Sequence, residues 1–176
     1  MARQVQLLRA VTRPRRAVAG RVLADPSITR MRVRPGDLDL YLHVNNGVYL
    51  QMMDVARTNL IADLGAFPAL RERGWYPVVA ASTVSYRRSL RLLDAFTITT
   101  QVLGWDPRVV YLEQVFTRGD DLIARALVAG RFLAKSGARI PAPDVAALMG
   151  ADRTSPDLPG DVTVWARAVG VAHRAP

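Results

Sequence analysis

The chain is 176 residues long, half of them hydrophobic and 22% charged, which suits one globular domain with a sizeable core and excludes a disordered or fibrous chain. It contains no cysteine, so disulfides, thiolate metal sites and cysteine nucleophiles are excluded, and a reducing cytoplasm is the compartment the composition fits. The formal charge of +9 sits mostly in residues 1–24, which hold six arginines (Arg3, Arg9, Arg13, Arg15, Arg16, Arg21) and no acid; the rest, with 18 bases against 15 acids, is nearly balanced. That balance argues against a basic nucleic-acid groove across the domain.

Residues 1–25 read as a basic arm with an amphipathic turn or two around Val5, Leu8 and Val11, broken by Arg13-Pro14-Arg15-Arg16. Such an arm could tether nucleic acid or an anionic membrane, and the acid-free composition of residues 1–24 also resembles an organelle transit peptide. No apolar run approaches the ~20 residues of a membrane helix, and no continuous apolar stretch marks a secretory signal. Residues 28–34 alternate as a first strand, stopped by Pro35-Gly36.

The strongest helix is predicted over 47–64, where Tyr49, Met52, Met53, Ala56, Leu60 and Leu64 recur at spacings of three and four. Val48, Leu50, Val55 and Ile61 carry the apolar surface around most of the cylinder, so the helix is expected to be enclosed. Asn45 or Asn46 supplies the N-cap and Gly65 the stop. Gln51, Asp54 and Thr58, with Arg57 nearby, leave a narrow polar stripe.

Residues 78–135 read as four consecutive strands. Val84, Tyr86; Phe96, Ile98, Thr100, Val102; Val110, Leu112, Gln114, Phe116; and Leu122, Ala124, Ala126, Val128, Phe132 each alternate with a more polar face. Their separators are Leu93-Asp94, Gly104-Trp105-Asp106-Pro107 and Arg118-Gly119-Asp120. The expectation is an antiparallel meander with one buried face. A short helix over 141–149, a loop over 155–160 and an ambiguous stretch over 162–171 complete the chain.

The expected organisation is a basic arm (1–25), a domain (26–150) and a C-terminal extension (151–176). The fold class is α+β, an antiparallel sheet wrapped around a long central helix. A sheet curled this way leaves edge strands unpaired, so a homodimer or homotetramer is expected.

The densest polar chemistry lies where the chain enters the helix: Asp37, Asp39, His43, Asn45 and Asn46 within a few residues. A helix N-terminus presents unpaired N–H groups and the positive end of the dipole, which can stabilise an oxyanion. A nearby carboxylate could attack a thioester carbonyl or activate water. The residues alone also allow a plainer reading, in which the aspartates form turns after Pro35-Gly36 and the asparagines only cap the helix.

The run Asp37, Asp39, His43, Val44, Asn45, Asn46, Tyr49 and Leu50, followed by Asp54, Ala56 and Arg57, resembles the motif of the 4-hydroxybenzoyl-CoA thioesterase-like group of the hotdog superfamily. Val84-Ser85-Tyr86-Arg87-Arg88-Ser89-Leu90, with Asp94 beyond, is similar to that family's next strand and turn, and the likeness covers about residues 31–135. Where the family usually has glycine this chain has Leu42, a form shared with the thioesterase superfamily member 6-like subgroup. The resemblance implies a hotdog fold and an acyl-CoA thioesterase, with CoA entering only as part of the substrate and no metal or redox cofactor. It implies Asp39 as nucleophile or general base and a backbone N–H near Asn46 or Gly47 as carbonyl polariser. His43, Asn45 and Asn46 would line or orient the site.

Tyr49 is expected to pack against the sheet beside the substrate region. Asp54 is either a second carboxylate candidate or an ion-pair partner of Arg57 at i,i+3. Arg87, Arg88 and Arg91 are candidates for CoA phosphates, and Trp75, Tyr76 and Trp105 for covering an acyl or adenine group. The chain has no G-x-S-x-G elbow, no Walker loop and only two histidines, His43 and His173. An acyl carrier protein thioester is a second substrate candidate, and non-catalytic acyl or lipid binding a second function.

Overall fold

A long helix forms the axis of the molecule and a curled antiparallel sheet wraps it, in a computed structural model that describes residues 3–172. His173, the first two residues of the expected arm and the end of the expected C-terminal extension lie outside the described residues. The central helix, α2 (Asn46–Asp63), follows α1 (Gln4–Thr12) and precedes α3 (Phe67–Arg73), α4 (Ala142–Leu148) and α5 (Gly160–Ala168). Asn45 caps α2, its Oδ1 accepting the Gly47 N–H at 2.8 Å. Met52, Met53 and Ala56 are fully buried, as expected of an enclosed helix.

Six strands make one sheet: β1 (Ser27–Arg32), β2 (Trp75–Tyr86), β3 (Ala95–Trp105), β4 (Val110–Arg118), β5 (Asp121–Ala134) and the short β6 (Arg139–Ile140). Their order is β1-β3-β4-β5-β2, with β6 beside β5. The expected four-strand meander therefore holds only for β3, β4 and β5. Strand β2 pairs with β5, and β1 takes the place beside β3. Three strand spacings, about 14 Å, separate β2 from β3. The link over 87–94 can span that gap at ~3.3 Å per residue, so its turn residues serve a crossover and not a tight hairpin. Leu90, midway along it, is fully buried.

The sheet's concave face packs on α2 through Phe96, Ile98, Phe116, Ala124 and Ala126. The expectation of one buried face is corrected at β4 and β5. Helix α5, formed from the stretch that sequence left ambiguous, covers Val109, Tyr111, Leu127 and Ala129 on the opposite side. Gly104 and Trp105, expected as turn residues, continue β3 through a bulge after Val102. Gly104 is required there: a Cβ would stand 2.7 Å from Ser155 Oγ and 2.9 Å from Leu158 Cδ2. Ser155 Oγ in turn accepts the Trp105 N–H at 2.8 Å, docking the C-terminal loop on the bulge.

The arginine-rich start is folded onto this body. Arg3 is 1% exposed and donates to Asp37 through Nε at 3.0 Å and Nη2 at 2.5 Å, while Asp37 is wholly buried. Arg15 and Arg21 both pair with Asp63, a buried carboxylate at the end of α2 that also accepts the Ser27 hydroxyl at 2.8 Å. Half of the N-terminal arginines thus serve as counter-ions for buried acids.

Candidate active site

The segment between Asp37 and Asn45 folds back on itself as a narrow hairpin that delivers the chain into α2. Asn45 N–H donates to Asp37 O at 2.9 Å, Leu38 bridges Val44, and Asp39 N–H donates to His43 O at 2.8 Å. At the tip Leu42 adopts φ 59, the left-handed conformation that glycine takes without strain. Leucine here therefore preserves a turn that glycine would also make. Leu40, Tyr41 and Leu42 are 98%, 82% and 70% exposed.

Asp39 is half-buried in this hairpin. Its Oδ1 accepts the backbone N–H of Tyr41 at 2.8 Å and of His43 at 3.3 Å, and Oδ2 has no hydrogen-bond partner among the described residues. One oxygen fixes the carboxylate to the tip and leaves the other available. At the helix start, Gly47 N–H is taken by the Asn45 side chain and Val48 N–H by the Asn45 carbonyl, at 2.9 Å. Asn46 N–H is unengaged among the described residues. Asn45, Asn46 and Gly47 are all exposed, so this end of the helix is open to an approaching group. Tyr86 Oη donates to Asn46 O at 3.4 Å, setting its ring beside the helix start.

His43 is also half-buried and borders an open polar depression with Arg88, Ser89, Arg91, Asp94 and Arg118. Arg118 is held by Asp94 at 2.6 Å, and Arg88 lies 3.4 Å from Asp121. Burial opposes ionisation of Asp94, but the Arg91 N–H and the Arg118 guanidinium outweigh it and hold the carboxyl below its ordinary value. Of the three arginines expected together beside the site, Arg88 and Arg91 line the depression and Arg87 is exposed outside it.

Tyr49 packs as expected, 2% exposed, edge-on to Tyr86 at 5.1 Å between centroids and tilted against Phe116 at 5.2 Å. Burial pushes its hydroxyl up to about 12. Asp54 pairs with Arg57, whose Nη1 donates to Gln114 Oε1 at 2.6 Å. Gln114, fully buried, spends its amide on Met53 O and Thr100 Oγ1. Burial pulls Arg57 below its ordinary value, against the opposing effect of Asp54.

Asp54, Arg57 and Thr58 border a cavity of about 570 Å³ between α2 and the sheet, reaching Trp75 and Tyr76 of β2. Among the described residues Asp54 is the single carboxylate on its wall, and none from the Asp39 hairpin reaches it. Gly47, Gln51, Asp54 and Thr58 follow one another at helical spacing along one face of α2, and the last two border the cavity. Gln51 Oε1, on that stripe, is buried without a partner. Trp105, by contrast, packs away from the cavity, its Nε1 donating to Arg153 O at 3.2 Å. Among the described residues no three His, Asp or Glu side chains stand together as a metal site.

Sequence reading missed three features. Arg3 looked like one arginine of many, and only its buried partner distinguishes it. Tyr86 was visible as a strand residue but its position over Asn46 depends on the crossover. The cavity is built from α1 to α4 and four strands, a convergence with no local signal.

The sequence profile of the thioesterase-like superfamily matches residues 33–158. Protein THEM6 of Xenopus laevis is 35% identical over 134 residues, covering 76% of this chain and 63% of that protein. The chain thus matches less than two thirds of that relative's length. The long-chain acyl-CoA thioesterase FadM of Escherichia coli K12 is 32% identical over 102 residues, 57% of this chain and 77% of that one. Among solved structures, the YbaW probable thioesterase of Escherichia coli superposes with a TM-score of 0.65 at 27% identity, over 70% of this chain and 95% of that one. A 4-hydroxybenzoyl-CoA thioesterase mutant complexed with 4-hydroxybenzoyl-CoA gives 0.63 at 20% identity, over 70% and 97%, a likeness of fold.

Proposed function

The chain belongs to the thioesterase-like superfamily, with the hotdog fold, and from that premise we propose that it hydrolyses an acyl-CoA thioester to a free acid and CoA. The observation that carries this reading is a half-buried Asp39 with one unpartnered oxygen, in the hairpin leading to an open helix start with an unengaged Asn46 N–H. The thioester oxygen would accept that N–H, where the positive end of α2 stabilises developing charge. Asp39 either attacks the carbonyl carbon, giving a mixed anhydride that water then opens, or takes a proton from the attacking water. In both routes the carbon–sulfur bond breaks and the CoA sulfur leaves as thiolate, which is then protonated. Neither route calls for a metal or redox cofactor.

His43, Asn45 and Asn46 shape the reacting end, and the depression bordered by Arg88 and Arg91 offers guanidinium groups to the CoA phosphates. The exposed edge of β2, twelve residues with no strand on its outer side among the described residues, supports a homodimer joined along that edge. The cysteine-free chain is compatible with the cytoplasm.

A second reading rests on Asp54, the single carboxylate on the cavity wall among the described residues. Release of free thiol from acyl-CoA by Asp39→Asn and Asp54→Asn decides between them. The proposal expects Asp39→Asn to lose at least about a hundredfold in kcat, in the range of acid–base catalysis, with a much smaller loss in Asp54→Asn. Loss confined to Asp54→Asn would transfer the role to the helix. Tight acyl-CoA binding without turnover by the wild-type chain would favour a non-catalytic acyl-binding protein.

A further inference from the structure

We propose that helix α1, which precedes the residues matched by the superfamily, is a wall of the acyl-binding cavity, and that Leu7 and Val11 set the length of acyl chain accepted. The inference rests on the acyl-CoA reading above and names the substrate class as long, unbranched and aliphatic.

The cavity is bounded at one side by Leu7 and Val11, one helical turn apart on the same face of α1. Val5 and Leu8 lie off the Leu7–Val11 line and are 75% and 62% exposed, and Val11, at the open end of the wall, is 40% exposed. Helix α1 is fixed near both ends. Arg3 grips the buried Asp37 at its start, and Arg71 Nη2 donates to Val11 O at 2.9 Å near its finish. A wall held at both ends resists displacement by a chain pressing on it, which is what a length limit requires.

Volume and charge identify the occupant. A methylene fills about the same ~30 Å³ as a water in the liquid, so 570 Å³ accommodates on the order of 20 carbons. A single aromatic ring would leave most of that space without contacts. Asp54 and Arg57 neutralise each other at the mouth, so the wall there favours an uncharged hydrocarbon over a free carboxylate. Gly47, Gln51, Asp54 and Thr58 lie along one face of α2, so the helix start and the cavity wall share that face. The sheet side is apolar, with Val102, Leu112 and Val128 beside Phe132.

The test measures free-thiol release by the whole protein from saturated acyl-CoAs, hexanoyl to stearoyl, for wild type, Leu7→Trp, Leu7→Ala and Leu8→Trp. Wild type is expected to prefer palmitoyl-CoA to hexanoyl-CoA. Leu7→Trp should lower the palmitoyl-to-hexanoyl ratio of kcat/KM about tenfold or more, the scale of filling a pocket by several methylenes. Leu7→Ala should move the preference the other way, toward stearoyl-CoA, a gain that misfolding cannot produce. Leu8→Trp, on the solvent face, should leave the ratio unchanged. A wild-type preference for hexanoyl-CoA, or Leu7 variants no different from Leu8→Trp, overturns the inference while hydrolysis itself stands. If no acyl-CoA is hydrolysed, the activity reading fails alone, and displacement of anilinonaphthalene sulfonate by palmitoyl-CoA decides the cavity's role. Displacement about tenfold weaker in Leu7→Trp supports it; equal displacement in the two proteins overturns it.

Discussion

Leu42 shows how a side chain can be carried in a conformation that suits another residue. Its φ of 59 places Cβ against the backbone, while its side chain, 70% exposed, gains little from burial. Leu42→Gly should therefore raise stability, by up to about 1 kcal/mol after glycine's entropy is offset, read as a higher urea midpoint. Arg3 has the opposite character. It meets Asp37 in full burial, and removing Arg3 leaves a buried carboxylate with no cation and only the Arg34 N–H to hold it. Arg3→Ala should cost about 3 kcal/mol or more in urea unfolding, with Arg3→Ala/Asp37→Asn recovering part of the loss. If Arg3→Ala unfolds like the wild type, the pair contributes no net stability.

At the scale of elements, the crossover over 87–94 unites the fold with the site. Its Leu90 carbonyl accepts the Val44 N–H at 3.1 Å, and its Asp94 carbonyl the Val33 N–H at 2.9 Å, so it braces the hairpin's exit and the chain just past β1 that leads into it. Asp94 fastens the crossover through the Arg91 N–H at 2.9 Å and Arg118 at 2.6 Å. Its carboxyl is held below the ordinary 3.8, so its contribution is fully present above that value and is lost as pH falls through the lower, folded value. The stability difference between wild type and Asp94→Asn should then be constant above about pH 5 and shrink below about pH 4. An unchanged difference in acid would remove Asp94 from the brace. The helices α2 and α4 were legible beforehand because caps, stops and 3.6-residue spacing are local. Pairing of β2 with β5 was not, since the same turn residues serve a hairpin and a crossover.

Across the whole molecule, the sheet is asymmetric. Beta strands β4 and β5 are covered on both faces, by α2 and by α5, whereas β2 presents a bare edge with Val79 and Tyr76 nearly half exposed. A dimer along that edge should dissociate when a like charge is placed at its middle. Thr83→Lys is expected to convert a dimer to a monomer in sedimentation equilibrium; a wild-type monomer would exclude this mode of assembly. The charge distribution also changes meaning at this scale. Arg3, Arg15 and Arg21 are engaged by Asp37 and Asp63, leaving Arg9, Arg13 and Arg16 exposed on the surface of the N-terminal segment. No helix among the described residues is long and apolar enough to cross a membrane.

The sequence by itself determined the enclosed helix, the alternation of β3 to β5 and the motif from Asp37 to Arg57, because each is written in short-range spacing and in residue types whose chemistry is local. Tertiary structure alone decided where β2 lies, that α5 roofs the outer face, that Arg3 reaches Asp37, and that Asp54 rather than Asp39 borders the cavity. These depend on contacts between residues far apart in the chain, where burial and charge pairing select one of several arrangements that the same local pattern permits.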